Sequence, residues 1–247
     1  MATLDGQVAW ITGGGSGIGL AGAIELSKAG AAVVISGRRH PVLEEAAQQV
    51  QSAGGLIETM PVNVTQVGAV ERVASEIMKK HGRLDILVNS AGLNVVKRAW
   101  ADMVPADWDL VTAVNCSGMF YCISAVLPAM RQQRRGLIIN IASWAGRYAS
   151  KLAGPAYTAS KHAVIALTHT LNMEEGANGV RACVICPGEV DTPLLAKRPV
   201  PLSAEVRAKM LRPEDLGRTI RFVSETPTHV CVNEIVISPV SNRLFVS

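Results

Sequence analysis

Tyr157 and Lys161 stand four residues apart in a stretch with helical apolar spacing, 156–175, and Ser143 precedes them at the end of an apolar run. Positions four apart share a helix face, so the phenol and the ammonium are expected side by side. A free tyrosine has a pKa near 10, which leaves about one in a thousand ionised at neutral pH. An adjacent ammonium favours the phenolate, and lowering the pKa by about two to three units takes roughly 3–4 kcal/mol. Tyr157 would then accept the proton of an alcohol or donate one to a carbonyl, with Ser143 holding the substrate oxygen. A Tyr-x-x-x-Lys pair alone means little; its weight comes from its company.

That company begins at Thr12-Gly13-Gly14-Gly15-Ser16-Gly17-Ile18-Gly19, directly after the first apolar run. Glycines permit a tight turn and a close approach of backbone to phosphate, and the helix that follows aims free N–H groups at the anion. No Lys-Ser/Thr follows the last glycine, so this is not a P-loop. The second apolar run ends in Ser36-Gly37-Arg38-Arg39. An NAD-preferring site usually carries an acidic residue there. Guanidinium groups instead bind a ribose 2′-phosphate by charge-assisted hydrogen bonds, which points to NADP. Two solvated arginines are the plainer reading of the same residues. With a dinucleotide in place, Lys161 would also reach the nicotinamide ribose.

Apolar runs at 7–11, 32–36, 56–61, 84–89, 136–141, 180–186 and 230–237 read as strands, and segments 18–29, 42–53, 67–81, 108–131 and 156–175 read as helices. Repeated β-α-β units imply a single α/β domain over residues 1–247, a Rossmann-type, doubly wound parallel sheet of about seven strands with helices on both faces. Ligands bind such sheets at the carboxyl ends of the strands, and each group above follows a strand end. The proline-rich stretch within 188–212 reads as a substrate loop or lid.

The net charge of +4 comes mostly from scattered residues, and Arg131, Arg134 and Arg135 fall at a helix end where cations favour the dipole. No nucleic-acid-reading motif accompanies them, so no nucleic-acid partner is expected. No apolar run approaches the ~20 residues of a membrane helix, and no secretory signal opens the chain, so no membrane association is expected. Five cysteines without regular spacing suggest reduced thiols and a cytoplasmic protein. Cys183 and Cys186 lie in a strand, where residues three apart point to opposite faces; they read as core thiols, and no metal site is expected. His162 is expected to face away from Lys161, since adjacent helical residues diverge by about 100°.

With these residues assembled, the chain resembles the short-chain dehydrogenase/reductase family over nearly its whole length. The family's Thr-Gly-x-x-x-Gly-x-Gly is matched by Thr12–Gly19, and its Asn-Asn-Ala-Gly by Asn89-Ser90-Ala91-Gly92, with serine in place of the second asparagine. Asn115, Ser143, Tyr157 and Lys161 match the family's catalytic residues in order and approximate spacing. The resemblance implies that Asn115 helps to hold a water relaying protons between Lys161 and solvent. It implies that Pro187, Gly188, Val190 and Thr192 lie along the nicotinamide, and that Asn63 and Val64 lie beside adenine, where relatives commonly carry Asp-Val. The tail Thr228–Val240 and Arg38 are similar to the NADP-dependent serine and 3-hydroxy-acid dehydrogenase branch rather than to 3-oxoacyl-carrier-protein reductases, which are the alternative.

Family geometry implies a pocket for a small alcohol or carbonyl substrate formed by Asn94 and Val95, by Trp144, Arg147 and Tyr148, and by Glu189, Leu194 and Leu195. Arg147 would pair with a substrate carboxylate, or else be solvated; Trp144 and Tyr148 are equally packing residues or pocket walls. A homotetramer or dimer is implied, built on helices 108–131 and 156–175. A non-catalytic NADP-binding sensor is the rival from another class, and the complete catalytic set speaks against it.

Overall fold

The computed structural model describes residues 3–242. Seven parallel strands form one sheet in the order β3-β2-β1-β4-β5-β6-β7. They are β1 (Val8–Thr12), β2 (Ala32–Ser36), β3 (Ile57–Thr59), β4 (Ile86–Asn89), β5 (Gly136–Ile141), β6 (Val180–Pro187) and β7 (Glu234–Ile237). Strand order reverses between β1 and β4, the crevice where ligands bind in doubly wound sheets. Register gathers the carboxyl ends along one edge: Thr12 lies beside both Ser36 and Asn89, and Asn89 beside Asn140.

The strands are short apolar runs because both faces are covered. Alternate side chains enter separate cores: Trp10, Leu87, Ile138 and Val184 on one face, Ile11, Val88, Ile139 and Ile185 on the other. The first core is closed by α3 (Val67–His81), α5 (Gly118–Gln133) and α6 (Pro155–Glu175), and the second by α1 (Gly17–Lys28), α2 (His40–Ser52) and α8 (Pro213–Glu225). Each fully buried Leu, Ile or Val contributes about 1.5–3 kcal/mol. Cys183 and Cys186 fall into opposite cores, as strand alternation requires. Trp10 is fully buried, and its indole N–H donates to Ser36 Oγ at 2.9 Å, which in turn donates to the Met60 carbonyl at 2.6 Å.

The expected helix 108–131 extends further, running from α4 (Pro105–Thr112) through a π-helical turn, Ala113–Ser117, into α5. At 29 residues, with a window of mean hydropathy 1.7, it is long and apolar enough to cross a bilayer, which corrects the reading that no apolar segment approached that length. In this fold its inner side packs on α3, β4 and β5. The strand ends also move: 56–61 narrows to Ile57–Thr59 and 230–237 to Glu234–Ile237, both at the sheet's edges where one neighbour alone supplies hydrogen bonds. Of the arginine cluster, Arg131 donates to Glu175 at the end of α6 and Arg134 donates to the Ala177 carbonyl at 2.7 Å, stitching the two long helices together. The segment expected to serve as a lid, 188–212, forms a 3-10 turn, Pro193–Lys197, and a short helix α7 (Ala204–Ala208). Its base is closed by Asp191 N–H donating to Leu211 O at 2.9 Å and by Arg207 and Arg212 on the Asp191 carboxylate.

Candidate active site

The glycine loop turns at Gly13, with φ +69°, where a side chain would also sit 2.8 Å from the Ala91 nitrogen. Only glycine meets both demands at low cost. Helix α1 then starts after Ser16, whose side chain makes no capping hydrogen bond to it. A cavity of about 380 Å³ runs from this loop across the sheet edge. Its walls include Gly13, Ser16, Gly17, Ile18, Arg38, Arg39, Asn63, Val64, Ala91, Gly92, Pro187, Gly188, Val190 and Thr192. Two residues expected in the cofactor site do not line it. Gly19 sits inside α1, where a Cβ would run into the Gly13 carbonyl, and Asn89 is buried. Asn89 Nδ2 donates to Asn140 Oδ1 at 3.0 Å, and Asn140 Nδ2 to Thr168 Oγ1 at 2.9 Å, a buried chain that fixes α6 against β4 and β5.

Beyond β5, Ser143 caps the 3-10 turn Trp144–Gly146 by accepting the Ala145 N–H at 3.1 Å. Pro155 begins α6, a position that costs no helix hydrogen bond. Tyr157 and Lys161 follow one turn apart on the same face, and both line the cavity with Ser143. Tyr157 shares a hydrogen bond with Ser143; burial pushes its pKa up, opposed by that bond and by the Arg98 charge. Lys161 is buried, its pKa is pulled down to about 8 by desolvation, and its Nζ lies 5.6 Å from the centre of the Tyr157 ring. The net shift of Tyr157 is therefore upward, not downward as the spacing suggested, because desolvation outweighs the favourable interactions around it. Desolvation acts on both groups, and Nζ donates instead to the Ile141 carbonyl at 2.7 Å.

Asn115 lies behind this pair, fully buried in the π-helical turn. Its side chain accepts the Leu93 N–H at 2.8 Å, donates to the Leu93 carbonyl at 2.9 Å and donates to Ser160 Oγ at 3.2 Å. Such π-turns occur frequently at functional sites. Here the turn clamps the loop after β4 onto α6.

Of the expected pocket residues, Asn94, Trp144, Glu189, Leu194 and Leu195 line the cavity. Val95, Arg147 and Tyr148 do not. Val95 N–H bonds the side chain of Asn94 at 2.8 Å, Tyr148 is half-exposed and packs on Trp144 with ring centres 4.7 Å apart, and Arg147 pairs with Glu234 at 2.9 Å. Sequence reasoning missed Arg98 and Arg198, which line the cavity from the loop after β4 and from the segment after the 3-10 turn Pro193–Lys197. Neither belongs to a spacing pattern; the fold alone brings them together. His162 is exposed, as expected, and its Nδ1 bonds the Thr158 carbonyl at 2.9 Å.

The family model described as short chain dehydrogenase matches residues 7–200. The chain belongs to the short-chain dehydrogenase family. Curated relatives of this short-chain dehydrogenase include an uncharacterized oxidoreductase of Staphylococcus saprophyticus, 39% identical over 97% of the chain and 100% of the relative. Another, from Staphylococcus aureus, is 36% identical over 97% of the chain and 100% of the relative. Similar solved structures include a metagenomic short-chain oxidoreductase in complex with NADP, with TM-score 0.84 and 30% identity, covering 96% of this chain and 99% of that one. An alcohol dehydrogenase from the archaeon Thermococcus sibiricus, complexed with 5-hydroxy-NADP, has TM-score 0.86 and 26% identity, covering 96% and 98%. The short-chain dehydrogenase described here is thus an oxidoreductase on a Rossmann-type single domain.

Proposed function

We propose that this oxidoreductase uses NADP(H) to transfer a hydride between nicotinamide and a small alcohol or carbonyl compound, with Tyr157 as general acid and base. The observation that carries the reading is one continuous cavity holding the glycine loop and Arg38–Arg39 together with Ser143, Tyr157 and Lys161. The residues fit the cofactor: Gly13 keeps the phosphate-binding turn free of side chains, and Arg38 and Arg39 are exposed cations where a 2′-phosphate would lie. Asn63 and Val64 would flank adenine, and Pro187, Gly188, Val190 and Thr192 the nicotinamide. The cofactor, when bound, gives or takes the hydride.

The chain's own residues manage the proton. Burial keeps Tyr157 protonated at neutral pH, so it is ready to donate to a carbonyl oxygen that Ser143 also holds. Lys161, fixed by the Ile141 carbonyl, places its ammonium beside the phenol; it stabilises the negative charge that Tyr157 acquires after donating. Asn115 is a positioning residue that holds the Leu93 backbone and Ser160 around the pair. The test is NADPH and NADH consumption with a panel of small ketones, oxo acids and 3-oxoacyl thioesters. Preference for NADPH, with turnover of free compounds over thioesters, is the expected result.

The reading extends to assembly and compartment. Exposed apolar residues on the long helices, Trp108, Leu110, Phe120 and Met173, support a homotetramer built on those faces. Sedimentation as a 26.1 kDa species alone would exclude it. Five free thiols support a reducing, cytoplasmic environment.

A further inference from the structure

We propose that Arg98 and Arg198 form a carboxylate-binding subsite beside Tyr157, so that the substrate is an oxo or hydroxy acid held by its anionic end. This rests on the oxidoreductase reading and adds the residues that choose the substrate. Both arginines line the cavity that contains Ser143 and Tyr157. Arg98 is 9% exposed; one guanidinium nitrogen donates to the Lys197 carbonyl of the lid, and its Nε is buried without a protein partner. The Arg198 side chain is 13% exposed; Nη2 donates to Glu189 Oε1 at 2.6 Å, and Nη1 is buried without a protein partner.

Arg198 pairs with a carboxylate while Arg98 donates to a neutral carbonyl, and each guanidinium keeps one buried, unfilled donor. Leaving such donors unsatisfied is costly, and a charge-assisted, planar acceptor is the group that guanidiniums hold best. The charge also reaches the reacting centre: burial and, after it, Arg198 depress the Arg98 pKa, and the Arg98 charge partly offsets the burial that raises the Tyr157 pKa. The backbone is shaped for this approach. Gly154, at φ +77°, precedes α6, and a side chain there would run into the Arg98 carbonyl. Arg147, the arginine that the sequence offered for this role, is instead engaged by Glu234 outside the cavity.

Arg98 also straps the loop after β4 to the lid, so a purely structural role has to be separated from recognition. The experiment measures calorimetric binding of linear 2-oxo and 3-oxo acids, and of their methyl esters, to the NADP-saturated protein. Wild type, Arg98→Gln, Arg98→Lys and Arg198→Gln are compared. We expect at least one acid to bind ten- to a hundredfold more tightly than its ester. The ratio is expected to fall to about one in both glutamine variants and to be partly restored by Arg98→Lys. Equal binding of every acid and ester by wild type, or a ratio unchanged in both glutamine variants, would overturn the subsite. A purely structural strap would weaken acids and esters alike and leave the ratio intact. NADPH consumption is followed on the same compounds: its absence throughout, with the acid preference present, would count against the oxidoreductase reading and not against the subsite.

Discussion

Lys161 donates its ammonium to the Ile141 carbonyl at 2.7 Å, at the last residue of β5. This bond fixes the lysine to the sheet rather than to the tyrosine one turn earlier, and it leaves Nζ 5.6 Å from the Tyr157 ring centre. In the proposed mechanism, the pair would work through a preset field. Desolvation would keep the phenol protonated, and the ammonium would meet the charge that develops when the proton leaves.

The Lys161 pKa near 8 sets a pH dependence. Below that pH the ammonium is present in the free enzyme, and above it the charge is progressively lost while Tyr157 remains protonated. For carbonyl reduction, kcat/KM is expected to be flat below about pH 8 and to fall above it, by up to tenfold per pH unit. A profile flat to pH 10 would contradict this assignment.

Cofactor choice is expected to rest on the end of β2. Arg38→Ala removes a charge-assisted contact of about 1.5–3 kcal/mol, so KM for NADPH should rise roughly ten- to a hundredfold with little change for NADH. Gly37→Asp fits sterically, since a Cβ there meets only Leu43 at 3.5 Å. It would repel a 2′-phosphate and accept a ribose hydroxyl, and the ratio of kcat/KM for NADPH over NADH should move toward NADH.

Gly13→Ala is expected to harm both stability and cofactor binding. The positive φ costs about 1–2 kcal/mol, and the methyl meets the Ala91 backbone at 2.8 Å. Thermal unfolding should fall by several degrees and NADPH affinity by at least tenfold; a variant with wild-type values would contradict the account of the loop.

Glu175 carries an acid-stability prediction. Arg131 holds its carboxyl at about 2, well below the ordinary 4.5. A depressed carboxyl contributes stability that is present above about pH 4.5 and is lost as pH falls toward 2. Arg131→Gln should reduce the steepness of acid unfolding across that window, read by circular dichroism. An unchanged slope would show that the pair contributes nothing to the linkage.

Much of this was legible in the chain because the signals are local. Strand β1, the glycine turn and the Tyr157–Lys161 helix each lie within a few consecutive residues, so type and spacing suffice. Edge strand β7 was read four residues too long at its start: β6 continues alongside that stretch, but the Val230 carbonyl accepts from the Arg181 guanidinium at 2.7 Å and the ladder begins only at Glu234. Asn89 reads as a ligand by position, yet its side chain faces Asn140 in the sheet interior. Arg98 and Arg198 were missed for the opposite reason: one hundred positions separate them, and only the contact of the β4 loop with the segment around Lys197 brings their charges into one cavity. Arg147 reads from its place after β5 as a solvated side chain or a substrate's partner; it pairs with Glu234, a residue nearly ninety positions away that no local spacing could name.

The most direct test of the central claim is NADPH consumption by wild type and Tyr157→Phe with any ketone or oxo acid that the wild type reduces, with NADPH affinity measured on both proteins. The account predicts a loss of kcat of about 10²–10⁴ with NADPH affinity changed by no more than a few-fold. A variant that turns over at the wild-type rate would contradict the assignment of Tyr157 as the proton donor.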